Sequence, residues 1–246
     1  MIPEMLKETA TEQAGQLTVT DVRIGLSYTA VLLDNGSVGV TMTFRNLLSD
    51  GCIVSDSPLI GKKAAHLIDG VDSPELLERT VALATVNAVV NRQKPGIIGG
   101  DNLDNLSLTG EDVVGMVGFF GPLVPGIRSQ VKTLTIFEKL TDKAPGLYPE
   151  EAAFEMLPAC TVAIITSTSL VNLTLEKLLS AAVNCRKVVL TGASTPLLPE
   201  VFKPYGVDML SGIIGSNPSA LLRVISEGGG MRSFKGHIRK VNMHCH

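Results

Sequence analysis

The chain has 246 residues, 45% of them hydrophobic and 18% charged, with a formal net charge of −3. That length accommodates two domains of ordinary size, the apolar share excludes a disordered chain, and the acidic balance offers no basic footprint for nucleic acid. Aromatic residues make up only 4%, with no Trp, so the core must be aliphatic, which suits parallel strands covered by helices on both faces.

In chain order, the N-terminal residues predict a short helix, followed by strand-like alternation from Leu17 to Ile24. Two further alternating runs, Tyr28–Leu33 and Val38–Phe44, flank Asp34-Asn35-Gly36-Ser37. Asn-Gly between such runs is a strong hairpin signal. Gly61–Ile68 reads as a short helix. A longer one opens at Ser73-Pro74-Glu75, with a capping residue, a proline at the start and an acid in the first turn. It continues through Leu76, Leu77, Val81, Ala84, Thr85, Ala88 and Val89 at helical spacing, and Lys94-Pro95-Gly96 stops it. Residues 1–105 therefore form an α+β module.

Residues 95–112, with four Gly and three Asp, read as a linker or crossing loop. The grammar then changes. Strands are predicted at Val113–Val117, Thr133–Phe137, Val162–Thr166, Val188–Leu190 and Asp208–Ile214. Gly118 to Val131 reads as a glycine-punctuated turn leading to a helix, further helices are predicted at Ala152–Leu157, Leu173–Ala182 and Ser219–Ile225, and a loop and helix run from Thr195 to Phe202. This alternation implies a second domain over residues 106–246, built on a parallel sheet with right-handed crossovers. The charge shifts at the same boundary: 8 Lys and Arg against 13 Asp and Glu before it, 13 against 11 after it.

The four cysteines, Cys52, Cys160, Cys185 and Cys245, form no CxxC pair, which fits a reduced, cytoplasmic protein. The N-terminus lacks the basic and apolar regions of a signal peptide. The uncharged run Val113–Ile127 is too short and too rich in Gly and Pro for a membrane span. No HExxH, GxSxG or P-loop lysine motif is present.

Ligands of an open parallel sheet bind outside the carboxyl ends of the strands. After the first strand of the second half comes Gly115-x-x-Gly118-x-x-Gly121, and Glu138 follows Gly118 by 20 residues at the end of the next strand. That is where nucleoside-binding sheets place a ribose ligand, and Phe119 and Phe120 could flank a flat ring. The glycines equally could serve only to turn the chain, with Glu138 a solvated strand-end acid. The third strand ends in Thr166-Ser167-Thr168-Ser169 and the fourth in Thr191-Gly192-Ala193-Ser194-Thr195. Hydroxyls and free N–H groups at a helix start form either an anion site or an ordinary cap. Asn87, inside an apolar helical stretch, is a structural hydrogen-bonder or a pocket-facing group. Asp101 is a turn acid that could reach the sheet edge. The tail His244-Cys245-His246 carries ligands for zinc, copper or nickel, but neighbours on an extended chain face opposite ways and a chain end frays.

Taken together, these segments resemble a known family. In the front half the resemblance rests on Gly25-Leu26-Ser27-Tyr28-Thr29-Ala30-Val31, Leu59-Ile60-Gly61 and Ala82-Leu83-Ala84-Thr85-Val86-Asn87-Ala88. In the back half it rests on Val114-Gly115-Met116-Val117-Gly118, Ile136-Phe137-Glu138, the run Ile165 to Leu175, and Gly192-Ala193-Ser194-Thr195-Pro196-Leu197. The sequence is similar to the heavy-metal-chelation family, an enolase-N-terminal-like α+β domain followed by a Rossmann-like domain with a mostly parallel sheet.

The resemblance implies a cleft between the domains that binds an oxygen-rich small molecule, flavin-, pterin- or siderophore-like, and condenses or hydrolyses it. Carried over, the cleft includes Asn87, Gly118, Phe119, Thr166, Thr168, Gly192, Ser194 and Thr195 as binding residues, with Asp101 and Glu138 as candidate acid or base. Thr161 stands where the family pattern leads one to expect an acid. Two other readings remain open: an S-adenosylmethionine-dependent methyltransferase, and a non-enzymatic metal-binding protein that uses oxygen ligands with help from the tail. A transition metal or a nucleoside-type ligand is compatible with these loops, and the sequence specifies neither. The expected partner is a small molecule or metallophore rather than nucleic acid or membrane; a homodimer is compatible with so apolar a chain.

Overall fold

A computed structural model describes residues 1–48, 57–100, 106–139 and 146–246. The front part opens with α1 (Ile2–Ala14), followed by the antiparallel strands β1 (Val19–Ile24), β2 (Tyr28–Leu33) and β3 (Val38–Met42), then α2 (Ala64–Ile68) and α3 (Leu76–Val90). The strands form a sheet in the order β1-β2-β3. The predicted hairpin is present: Leu32 faces Val38 across the turn.

Alternation of strand and helix follows: β4 (Ile98–Gly99), β5 (Val113–Val117), α4 (Val124–Arg128), β6 (Thr133–Glu138), β7 (Leu147–Pro149), α5 (Ala153–Met156), β8 (Val162–Thr166), α6 (Leu175–Ala181), β9 (Lys187–Thr191), α7 (Pro199–Phe202), β10 (Met209–Gly215), α8 (Pro218–Ser226) and β11 (Ile238–His244). The sheet order is β4-β11-β10-β9-β8-β5-β6-β7. Pairing is parallel from β10 to β7, while β11 and β4 add antiparallel edges. The chain thus has the α/β class expected of it. Among the described residues, no helix is long and apolar enough to cross a membrane.

Three features depart from the sequence reading. The segment after Gly118, expected as a turn leading to a helix, yields a helix of only five residues, α4, after the turn at Gly121 and Pro122. The helix expected to show an apolar stripe, α3, is buried on all sides except at Leu76 and Glu78. One side lies on β2 and β3, where a Cβ at Gly39 would fall 2.0 Å from Ala88 N; only glycine permits that approach. The other side meets the Gly192–Leu198 segment through side-chain bonds described below.

The third departure is the tail, which does not fray. β11 pairs with β10 from Gly215↔Ile238 to Met209↔His244. Cys245 N then donates to Asp208 O at 2.9 Å, and Cys245 is buried. The run Ile238-Arg239-Lys240-Val241-Asn242-Met243-His244 lacks a period-2 pattern, so pairing rather than alternation makes it a strand. The opposite facing of tail neighbours holds: His244 and His246 stack with centroids 5.7 Å apart, while Cys245 lies in the core.

Candidate functional site

The strand order reverses at β5. The chain moves from β5 outward to β6 and β7, then returns to place β8 on the other side of β5. Such a switch point opens a crevice at the carboxyl ends of the two strands. Gly118 directly follows β5 and Thr166 ends β8, and a Cβ at Gly118 would lie 2.9 Å from Thr166 Cβ. Gly118 also has φ +91, so the close approach and the backbone both require glycine there. The middle glycine of the Gly115-x-x-Gly118-x-x-Gly121 pattern has this physical cause.

Glu138 ends β6 beside it. Its carboxylate accepts from Phe119 N at 2.8 Å and from Lys139 N at 2.7 Å. The acid twenty residues after Gly118 therefore holds the turn that follows Gly118. Phe119 is left 54% exposed. On the β8 side, Thr166 Oγ1 and Thr168 Oγ1 lie 2.9 Å apart, and Ser169 Oγ donates to Thr166 O at 2.6 Å. These hydroxyls form a tight turn, and Thr166 and Thr168 stay partly open to solvent. Gly118, Phe119, Glu138, Thr166 and Thr168 are thus brought to one edge.

Gly192, Ser194 and Thr195 belong to an adjoining, more enclosed region. Gly192 N donates to Ser211 O at 3.0 Å. Asn87 Nδ2 donates to Val40 O at 2.9 Å and to Ser194 O at 3.1 Å, while Ser194 Oγ accepts from Met42 N at 3.0 Å. Of the two roles open to Asn87, these bonds favour the structural one: it ties α3 to β3 and to the loop after β9. Ser194 and Thr195 are buried with it. Asn87 Oδ1, Ser167 Oγ and Thr195 Oγ1 are buried with no hydrogen-bond partner among the described residues, so polar capacity remains along this seam. Asp101 lies outside the described residues.

Three residues that the sequence reading did not single out belong here. Asn91, one turn beyond Asn87, donates to Thr195 O at 2.9 Å and to Ile213 O at 3.3 Å, and accepts from Leu197 N at 2.9 Å. Two asparagines four apart in an apolar helix share a face, and that spacing was the available signal. Glu150 follows Pro149, which pairs with Glu138 across β6 and β7. Thr174 Oγ1 donates to Glu150 Oε1 at 3.5 Å. Burial raises the Glu150 carboxyl above its ordinary range; Lys139 opposes the shift, and Glu151 and Glu138 add to it. Pro149-Glu150 reads as an ordinary helix start, so no sequence signal marks it. Asn172, which bonds Thr174 Oγ1 at 2.7 Å, precedes Leu173, held at φ +60. A leucine in that region is strained and is held there by its surroundings.

The donors available for a metal ion are sparse. Among the described residues, no group of three or more His, Cys, Asp or Glu side chains converges closely enough to hold one, so they supply no closed zinc-type cage. Burial pushes the Cys245 thiol up to about 12, and its side chain lies in the core rather than beside the two imidazoles. The tail therefore offers two stacked imidazoles and no third ligand.

Two family models match the chain, one at residues 7–90 and one at residues 101–244, and both carry the description "Putative heavy-metal chelation". The sequence is similar to an uncharacterized protein of Methanocaldococcus jannaschii, 26% identical over 255 residues, covering 99% of this chain and 98% of the relative. Two solved structures of the family matched at residues 101–244, both of unknown function, are similar in fold. One, from Pyrococcus horikoshii, has a TM-score of 0.89 and 24% identity, covering 99% of this chain and 100% of that one. The other, from Desulfitobacterium hafniense, has a TM-score of 0.82 and 24% identity, covering 98% of each chain.

Proposed function

Because the chain belongs to the family that carries this description, we propose that the carboxyl edge at the β5–β8 switch point binds an oxygen-rich chelating molecule, of flavin, pterin or siderophore type. A heavy metal then arrives in the grip of that molecule, since no three His, Cys, Asp or Glu side chains among the described residues converge at this edge to cage the bare ion. The observation that carries this reading is the switch point itself, with Gly118 and Thr166 converging there.

The chain's own groups fit such a ligand. Phe119 offers an exposed ring for a flat heterocycle. Thr166 and Thr168 offer hydroxyls to carbonyl or phenolate oxygens. Glu150, raised by burial, holds a proton at higher pH than an ordinary carboxyl and can pass it to an anionic ligand oxygen. Glu138 keeps the Phe119 turn in place rather than meeting the ligand first.

Calorimetric titration with an iron(III)–tris-catecholate complex, flavin mononucleotide and a free pterin tests the reading. At least one of these should bind, and Thr166→Val and Glu150→Gln should each weaken it about 10-fold or more, the value of one charge-assisted hydrogen bond. Failure of all three to bind, or titrations of both variants that match the parent chain, would sink it.

A further inference from the structure

The opposite, amino edge of the large sheet carries a second chemical feature. β8 and β9 run parallel with Val162 facing Lys187. Arg186 N donates to Thr161 O at 2.8 Å, so the pairing continues one residue toward the amino ends. One step further back, in the turn leading into each strand, stands a cysteine, Cys160 before β8 and Cys185 before β9. Neighbouring strands lie about 4.8 Å apart, and residues in register point to the same face. The contacts keep the two residues together: Cys185 Sγ donates to the backbone Cys160 O at 3.4 Å, Cys160 Sγ donates to Met156 O at 3.5 Å, and the two side chains pack in one apolar cluster. Both are free thiols. Cys160 is 6% exposed and Cys185 partly open, next to exposed Asn184 and Arg186, which gives an ion a route in.

We propose that Cys160 and Cys185 form a two-thiol site for a soft cation of the cuprous class, held in linear coordination between the two sulfurs. Two thiolates select a soft ion, and no convergent third His, Cys, Asp or Glu is present among the described residues to complete a zinc site. On loading, two S–H bonds break, two Cu–S bonds form and two protons pass to water. Copper enters and remains as Cu(I), so no electron is transferred. Without the ion the thiols are quiet: burial raises both, Cys185 to about 12. Sharing no residue with the carboxyl-edge site, this pair stands or falls separately from the proposed function.

The test uses the full chain with Cys52→Ser and Cys245→Ala, leaving only this pair, titrated anaerobically with Cu(I) against a chromogenic Cu(I) chelator. One ion per chain is expected, with a thiolate-to-metal absorption band in the ultraviolet. Adding Cys160→Ala or Cys185→Ala should lower the affinity about 100-fold or more, because the second sulfur acts at high effective concentration. Phenylarsine oxide, which bridges two thiols with loss of water, is the second probe and should label the parent chain but neither single variant. If Cys160→Ala does not fold, the partly exposed Cys185→Ser carries both measurements. No Cu(I) uptake by the pair, or equal affinity and labelling after removal of either thiol, overturns the proposal.

Discussion

Asp112 ties together the amino ends of three strands of the large sheet, and its removal can be followed quantitatively. It immediately precedes β5 and is buried. It accepts from Arg186 Nε at 2.9 Å and Nη2 at 2.5 Å, from Thr161 Oγ1 at 2.7 Å, and from Thr109 N at 2.8 Å and Oγ1 at 3.0 Å. Thr161 Oγ1 in turn accepts from Val113 N at 3.0 Å. The threonine where the family resemblance suggested an acid is thus a relay to an acid on the neighbouring strand. In Asp112→Asn the fork from Arg186 loses its charged acceptor. Breaking a fully buried pair costs about 3–5 kcal/mol, but the Arg186 side chain is 44% exposed against 4% for Asp112. Water therefore screens and rescues the cation, and about 2–3 kcal/mol is expected. For a chain of this size that is a fall in Tm of roughly 4–12 °C.

The pH dependence follows from the same contacts. Arg186 and the threonines hold the Asp112 carboxyl well below the usual carboxylate range. A depressed acid stabilises the fold above its unfolded pKa, about 3.9, and that contribution is lost as pH falls through the folded value. The gap between the parent chain and Asp112→Asn should stay constant from pH 7 to about pH 5 and narrow only below about pH 4. Calorimetric melts at several pH values read both effects. A Tm within about 1 °C of the parent at pH 7, or a gap that widens in acid, would refute the reasoning.

Three further outcomes follow from the geometry. Asn91→Leu strands Thr195 O, Ile213 O and Leu197 N in the interior, so it should lower stability in urea unfolding by about 2–4 kcal/mol. Gly118→Ala meets both a positive φ and Thr166 Cβ and should cost about 1–3 kcal/mol, read as a lower Tm. Glu138→Ala removes the acceptor of the Phe119 and Lys139 amides; hydrogen exchange at these two amides should speed up while the β5 amides stay protected.

The sequence by itself determined the local elements and the class of the fold. Asn35-Gly36 makes the hairpin because its turn geometry is local, and the apolar runs from Val113 to Ile214 make parallel strands because their composition suits burial on both faces. The switch point was legible only as a glycine beside two hydroxyl-rich strand ends. Tertiary structure decided the rest. β11 exists because β10 offers it a partner, and nothing in its own alternation announces it. α3 is buried on nearly every side because a second layer covers the face that helical periodicity leaves open. Glu138 was visible as an acid at the right spacing, but its engagement with the Phe119 turn, the rise of Glu150 and the meeting of Cys160 with Cys185 depend on contacts between residues far apart in sequence. Local preference is written residue by residue, whereas a site is made by which strand ends the sheet order brings side by side.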